Sequence, residues 1–137
     1  MYDTIVVGAR CAGSSLAMLL ARRGARVLLI DRAAFPADIP HGHFIHRHGP
    51  RRLRDWGLLS KVAARTPAVT TMIFDRGDFP LLVHDLVEDG VAWAYGPRRT
   101  TFDKILVDAA VESGGSASCS WASASATRDA TSNAAWP

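Results

Sequence analysis

The sequence predicts an α/β fold, and three observations predict it. A β-branched run, a glycine turn, a run of helix formers, a second apolar run and an acid follow one another within the first 31 residues. Stretches between residues 69 and 95 are rich in strand formers and broken by Arg76-Gly77-Asp78 and Asp89-Gly90, which are hairpin signals. A threonine-led apolar pattern over about 100–112 then reads as a further helix.

The opening unit carries the most chemistry. Asp3-Thr4-Ile5-Val6-Val7 is a short strand that stops at Gly8, and Gly8-Ala9-Arg10-Cys11-Ala12-Gly13 is the turn after it. A helix is expected over 12–23, with Arg22 and Arg23 in its last turn and Gly24 where a left-handed cap belongs. Arg26-Val27-Leu28-Leu29-Ile30 is the second strand, and it ends on Asp31, 23 positions after Gly8. Two strands joined by one helix lie parallel, so the turn sits at their carboxyl edge, where ligands bind. The spacing is that of a Rossmann-like dinucleotide fingerprint. The free N–H groups and dipole of the helix favour a pyrophosphate at the turn, and Asp31 can accept ribose hydroxyls. An acid there repels a 2′-phosphate, which points to FAD or NAD rather than NADP. One position departs from the pattern: Arg10 stands where the middle glycine belongs, and its guanidinium can pair with the pyrophosphate if it points outward. The competing reading is an ordinary βαβ unit with turn glycines and no ligand.

Composition narrows the class. At 137 residues the chain is one domain at most, and its formal charge of +3 with 48% apolar residues suits a soluble globular protein and gives nucleic-acid binding little support. Two cysteines, Cys11 and Cys119, make no disulfide framework, so a cytoplasmic location is expected. No signal peptide, membrane span or internal repeat is read.

After Asp31 the chain leaves the sheet, and Pro36 and Pro40 keep it extended. His41, His43, His46 and His48 then crowd together, followed by Arg51, Arg52 and Arg54. Their spacing matches no zinc pattern, so no metal is expected; a solvated basic face and a loop facing a dinucleotide phosphate or flavin both remain open. A helix is expected from about Gly49 to a cap near Gly57. Val69 to Asp75 and Phe79 to Val83 read as a hairpin, and Val91 to Tyr95 as a further strand of a small antiparallel meander, its aromatic residues core rather than a ligand cage. Beyond Gly114 the character changes: seventeen of the last 24 residues are Ala, Ser, Thr or Gly, and no Val, Ile, Leu, Met or Phe follows Val111. The expectation is a folded portion over 1–113 and a low-complexity, disordered tail over 114–137.

Together these residues resemble the N-terminal part of FAD-dependent monooxygenases of the para-hydroxybenzoate hydroxylase type and the related geranylgeranyl reductases. The resemblance includes Asp3 to Gly13, Asp31-Arg32, His43-Phe44-Ile45-His46 and Leu53-Arg54-Asp55-Trp56-Gly57-Leu58-Leu59. It continues through Phe74-Asp75-Arg76-Gly77-Asp78-Phe79 to Pro97-Arg98-Arg99-Thr100-Thr101-Phe102-Asp103. It implies a partial Rossmann-like FAD-binding domain in which Gly8, Arg10, Gly13 and Ser14 surround the pyrophosphate, Asp31 holds the adenosine ribose and Arg32 flanks the adenine. Arg99 would approach the cofactor from the far side, and His46 would lie in the loop nearest the flavin. In such enzymes NAD(P)H reduces the flavin, which then activates oxygen toward a small organic substrate, and no catalytic side chain is legible here. Where the family resumes with a Gly-Ala-Glu-Val-like strand, this chain has Ser113-Gly114-Gly115-Ser116-Ala117, so the third parallel strand, the later Gly-Asp segment and the substrate sheet are expected to be missing. A truncated flavin-dependent oxidoreductase, a non-catalytic remnant or nucleotide-binding module, and an NAD-binding dehydrogenase domain are the readings carried forward.

Overall fold

The computed structural model describes residues 1–38, 43–46 and 48–119. In chain order its elements are β1 (Thr4–Val7), α1 (Cys11–Ala21), β2 (Val27–Asp31), β3 (Ile45–His46), α2 (His48–Asp55), α3 (Leu59–Ala63), β4 (Ala68–Val69), β5 (Met72–Asp75), β6 (Pro80–Val83), β7 (Val87–Glu88), β8 (Val91–Ala92), β9 (Ala94–Tyr95), α4 (Arg99–Glu112) and β10 (Ser116–Cys119). They form two compact units, Met1–Asp38 with Arg99–Pro137, and Ile39–Arg98.

The first unit is the expected βαβ element completed by α4 and β10. Thr4 lies opposite Val27 and Val7 opposite Ile30 in parallel register. Val6, Val27 and Leu29 alternate onto one sheet face and are buried, as are Ala17, Met18 and Ala21 of α1 and Leu106, Val107, Ala109 and Ala110 of α4. Alanines on both helices let α1 lie close along α4 while both rest on the sheet.

The third strand corrects the sequence expectation. β10 pairs in parallel with β2, Ser116 opposite Leu28 and Cys119 opposite Asp31, giving the order β1-β2-β10. A parallel ladder is built from backbone groups, so Ser-Ala-Ser-Cys can form it without the β-branched signature that marks a strand in sequence. The strand lies past residue 113, where the sequence places the end of the folded portion. Residues 120–137 of the expected tail lie outside the described residues.

The second unit holds α2 and α3 with three small antiparallel sheets, β3-β9-β4, β5-β6 and β7-β8. Leu53, Leu58, Val62, Val91, Ala92, Ala94 and Tyr95 form its buried centre. α2 occupies the expected place before Gly57, and α3 is an addition to the expected elements. The β5-β6 hairpin turns at Gly77 as expected, Asp75 facing Pro80. Two expected strands are each divided: Ala68–Val69 pairs with β9 while Met72–Asp75 pairs with β6, and Val91–Ala92 pairs with β7 while Ala94–Tyr95 pairs with β3 and β4. Trp93 separates the last two, its N–H donating to the Leu86 carbonyl at 2.7 Å.

Candidate functional site

The glycine turn joins β1 to α1, and its two glycines meet different demands. Gly8 continues the ladder, its N–H donating to the Ile30 carbonyl at 2.7 Å, and then turns the chain at φ +101°, where an L side chain is strained. Gly13 is needed for space: a Cβ there would lie 1.7 Å from the Gly8 carbonyl oxygen and 3.3 Å from Val6 Cγ1. The first turn of α1 is thereby laid directly on the end of β1.

That first turn suits an anion. Arg10 is the N-cap residue, no side chain caps the helix, and its first turn holds no acid. The Ser14 N–H is the first to close onto the Arg10 carbonyl, at 2.9 Å. The N–H groups just before it are the ones a helix leaves without intrahelical partners, and they carry the positive end of the dipole. Ser14 itself is fully buried and donates its hydroxyl to the Ala9 carbonyl at 2.6 Å, so its side chain braces the turn from within.

Asp31 closes the site from β2. Its Oδ2 accepts the Ala9 N–H at 2.7 Å and its Oδ1 the Ala33 N–H at 2.8 Å. Each carboxylate oxygen has more than one acceptor direction, so holding the turn leaves capacity for ribose hydroxyls. Arg32, beside it, is exposed.

The structure adds a residue to which sequence reasoning gave no role. Asp103 of α4 is fully buried. Its Oδ2 receives Arg10 Nη1 at 2.8 Å and Arg99 Nη2 at 3.2 Å, and its Oδ1 receives Arg99 Nε at 3.1 Å and Nη2 at 2.9 Å. The Cys11 thiol also donates to Oδ1, at 3.2 Å. Arg10 Nη1 reaches the Ala37 carbonyl at 3.0 Å, and its guanidinium carbon lies 4.8 Å from the centre of the Phe35 ring. The guanidinium of Arg10 is thus engaged with α4 and the segment after β2. The signal that points to Asp103 is its i, i+4 spacing from Arg99, which sets the two on one helix face. Burial and the neighbouring Asp103 push the Cys11 thiol up to about 11, so it is protonated at neutral pH.

His46 belongs to the second unit, on β3 opposite Ala94. It is exposed and stacks on Trp93 with ring centres 5.1 Å apart, and Phe44 lies 5.5 Å from it. Among the described residues no three His, Cys, Asp or Glu side chains converge as metal ligands, and His41 lies outside them. No helix of the described residues is long and apolar enough to cross a membrane.

A parallel sheet with a glycine turn, an uncapped helix start and an acid at the next strand's end defines a nucleotide-binding α/β unit. The chain belongs to the FAD binding domain family, whose model matches residues 1–135, and the family's cofactor is FAD. It is 29% identical over 113 residues to the 3-(3-hydroxy-phenyl)propionate/3-hydroxycinnamic acid hydroxylase of Mycobacterium sp. (strain JLS), a match covering 82% of this chain and 19% of the hydroxylase. Among solved structures, a myxobacterial FAD-dependent chondrochloren halogenase superposes with a TM-score of 0.73 at 27% identity, over 86% of this chain and 28% of the halogenase. A flavoprotein/dehydrogenase from Cytophaga hutchinsonii gives 0.74 at 26% identity, over 86% and 30%. The chain therefore spans less than a third of the length of these proteins.

Proposed function

We propose that this chain is the part of a flavin-dependent, monooxygenase-like oxidoreductase that seats the ADP half of FAD. The observation that carries the reading is the uncapped, acid-free start of α1, pressed onto the end of β1 by the absence of a Cβ at Gly13. In this reading the N–H groups of the first turn bind the diphosphate. Asp31 accepts the ribose hydroxyls while still holding the turn through Ala9, and Arg32 flanks the adenine. Arg99 approaches the cofactor beside Arg10, and His46 is assigned to the flavin side by resemblance alone. Bound FAD supplies the redox chemistry, taking reducing equivalents from NAD(P)H and passing them on to oxygen or to a small organic substrate. The chain's own share is binding and orientation.

Calorimetric titration of the 137-residue chain with FAD, ADP and NADP⁺ tests this. FAD and ADP should bind with affinities within a few-fold of each other, no tighter than high micromolar, because the named residues of the turn and Asp31 address only what the two share. NADP⁺ should bind more weakly, since Asp31 repels a 2′-phosphate. The chain should purify colourless and should not oxidise NAD(P)H. Tighter binding of NADP⁺ than of ADP, or no ADP binding at millimolar concentration, would sink the proposal.

A further inference from the structure

We propose that Asp103 is a positioning residue for the phosphate turn: it fixes Arg10 and Arg99 beside the opening of α1, so that the diphosphate meets guanidinium groups already held in place. The inference rests on the reading of the turn as the seat of the ADP half of FAD.

An arginine in the place of the fingerprint's middle glycine is a liability if its side chain is free, because a long cation would occupy the volume the diphosphate needs. Here it is drawn aside. Nη1 of Arg10 is held by Asp103 Oδ2 and the Ala37 carbonyl, and the guanidinium lies against Phe35. The Nε and Nη2 of Arg10 donate no hydrogen bond among the described residues, and the side chain keeps 27% of its exposure. Arg99, 13% exposed, is gripped by the same carboxylate through two of its nitrogens. Two guanidinium groups are thus held against one carboxylate, next to a helix start that already favours anions. Replacing a buried ion pair with apolar residues is often neutral or stabilising, so stability alone is a weak reason for a charge buried at Asp103. Placement of the two arginines supplies a reason. Fixing a guanidinium in advance also reduces the ordering that a bound diphosphate would otherwise have to impose on it.

The test compares ADP with adenosine, which shares the base and ribose but has no phosphate. The full chain is titrated calorimetrically with each ligand as wild type, D103N, D103E and R10G, and phosphorus NMR follows bound ADP. D103N removes the charge and nearly preserves the shape. It should weaken ADP about tenfold, the loss of roughly one charge-assisted hydrogen bond, while leaving adenosine unchanged and moving the bound phosphorus resonances. D103E should restore most of the preference for ADP over adenosine. R10G regenerates the fingerprint glycine, yet it should bind ADP more weakly than wild type. If D103N does not fold by far-UV circular dichroism, R10G decides the question. A D103N chain with an unchanged ratio of ADP to adenosine affinity, or an R10G chain that binds ADP as well as wild type, overturns the proposal. A wild-type chain that binds no ADP overturns the nucleotide reading itself and the role of Asp103 with it, so the two failures are told apart by the wild-type titration.

Discussion

The inner sheet face of the first unit and the β5-β6 hairpin of the second use their apolar residues in opposite ways. In the first, the sheet face toward the helices is sealed, with Val27, Leu29 and Leu106 each 1% exposed. In the second, the β5-β6 hairpin carries Ile73, Phe74, Leu81 and Leu82 on its two faces, and all four are exposed. Ile73 sits across from Leu82 and Phe74 across from Leu81, so neither face of the ribbon is polar. The first unit also buries a charge, Asp103, and satisfies it from three side chains. Structure in the first unit therefore depends on a few intolerant positions. The hairpin depends on cross-strand pairs that contribute roughly 0.2–1 kcal/mol each.

The largest effects should fall where the first unit is tightest. Asp103→Ala leaves two guanidinium groups without their shared carboxylate and should destabilise by about 3–5 kcal/mol, the range for breaking a buried pair. Gly13→Ala drives a methyl group into the Gly8 carbonyl, and an overpacked site of this kind should lose ~3 kcal/mol. Urea unfolding of the purified chain measures both. Midpoints within experimental error of wild type would show that this unit is as tolerant as the hairpin and would dissolve the contrast.

Asp31→Ala acts on binding and on the turn together. Loss of the acceptor for the ribose hydroxyls should weaken ADP and FAD by about 1–3 kcal/mol. The Ala9 N–H also loses its 2.7 Å partner, so a smaller loss of stability should accompany it. Unchanged ADP affinity in this variant refutes the ribose assignment.

The hairpin should respond in the opposite direction. Phe74→Ser with Leu81→Ser removes an exposed facing pair, so the urea midpoint should shift by no more than about 0.5 kcal/mol in free energy. Solubility should rise and binding of a hydrophobic dye should fall, because an exposed apolar patch is what such dyes and other chains recognise. A large fall in the urea midpoint would mean that these residues are covered in solution.

The contrast also explains what the sequence discloses. Gly8, Gly13 and Asp31 are legible because the geometry of a βαβ turn restricts residue type at fixed spacing, and the structure brings these three together at the end of β1 and β2. For Asp103 the sequence offers only the i, i+4 spacing from Arg99; its burial and its pairing with Arg10, 93 positions away, leave no local mark. A run of helix formers announces α1, yet the residues it buries are Ser14, Ala17, Met18 and Ala21, three of them small, which lets α1 lie close along α4. β10 carries no strand signature in sequence for a related reason: its pairing with β2 is made by the backbone. In the second unit the sequence discloses the β5-β6 hairpin with its pairing, but not β7 or the partners of β4, β8 and β9, since two-residue strands leave too few side chains to record which sheet each one joins.

The smallest effect concerns Cys11, whose thiol is half-buried beside Asp103. Burial, and then the hydrogen bond to Asp103, raise its pKa from 9.0 to about 11. A raised value means that the folded chain favours the protonated thiol more than the unfolded chain does. The associated stability is present below pH 9 and is lost as pH climbs through about 11. Cys11→Ser removes that titration, so the difference in urea midpoint between wild type and Cys11→Ser should change between pH 9 and 11 and be constant between pH 6 and 8. In a Cys119→Ser background, alkylation of Cys11 at neutral pH should be far slower than in the urea-unfolded chain, because thiolate is the reacting form. Equal rates folded and unfolded at pH 7 would mean that Cys11 neither meets Asp103 nor lies behind the turn, and the cluster around Asp103 would then need to be redrawn from its arginines alone.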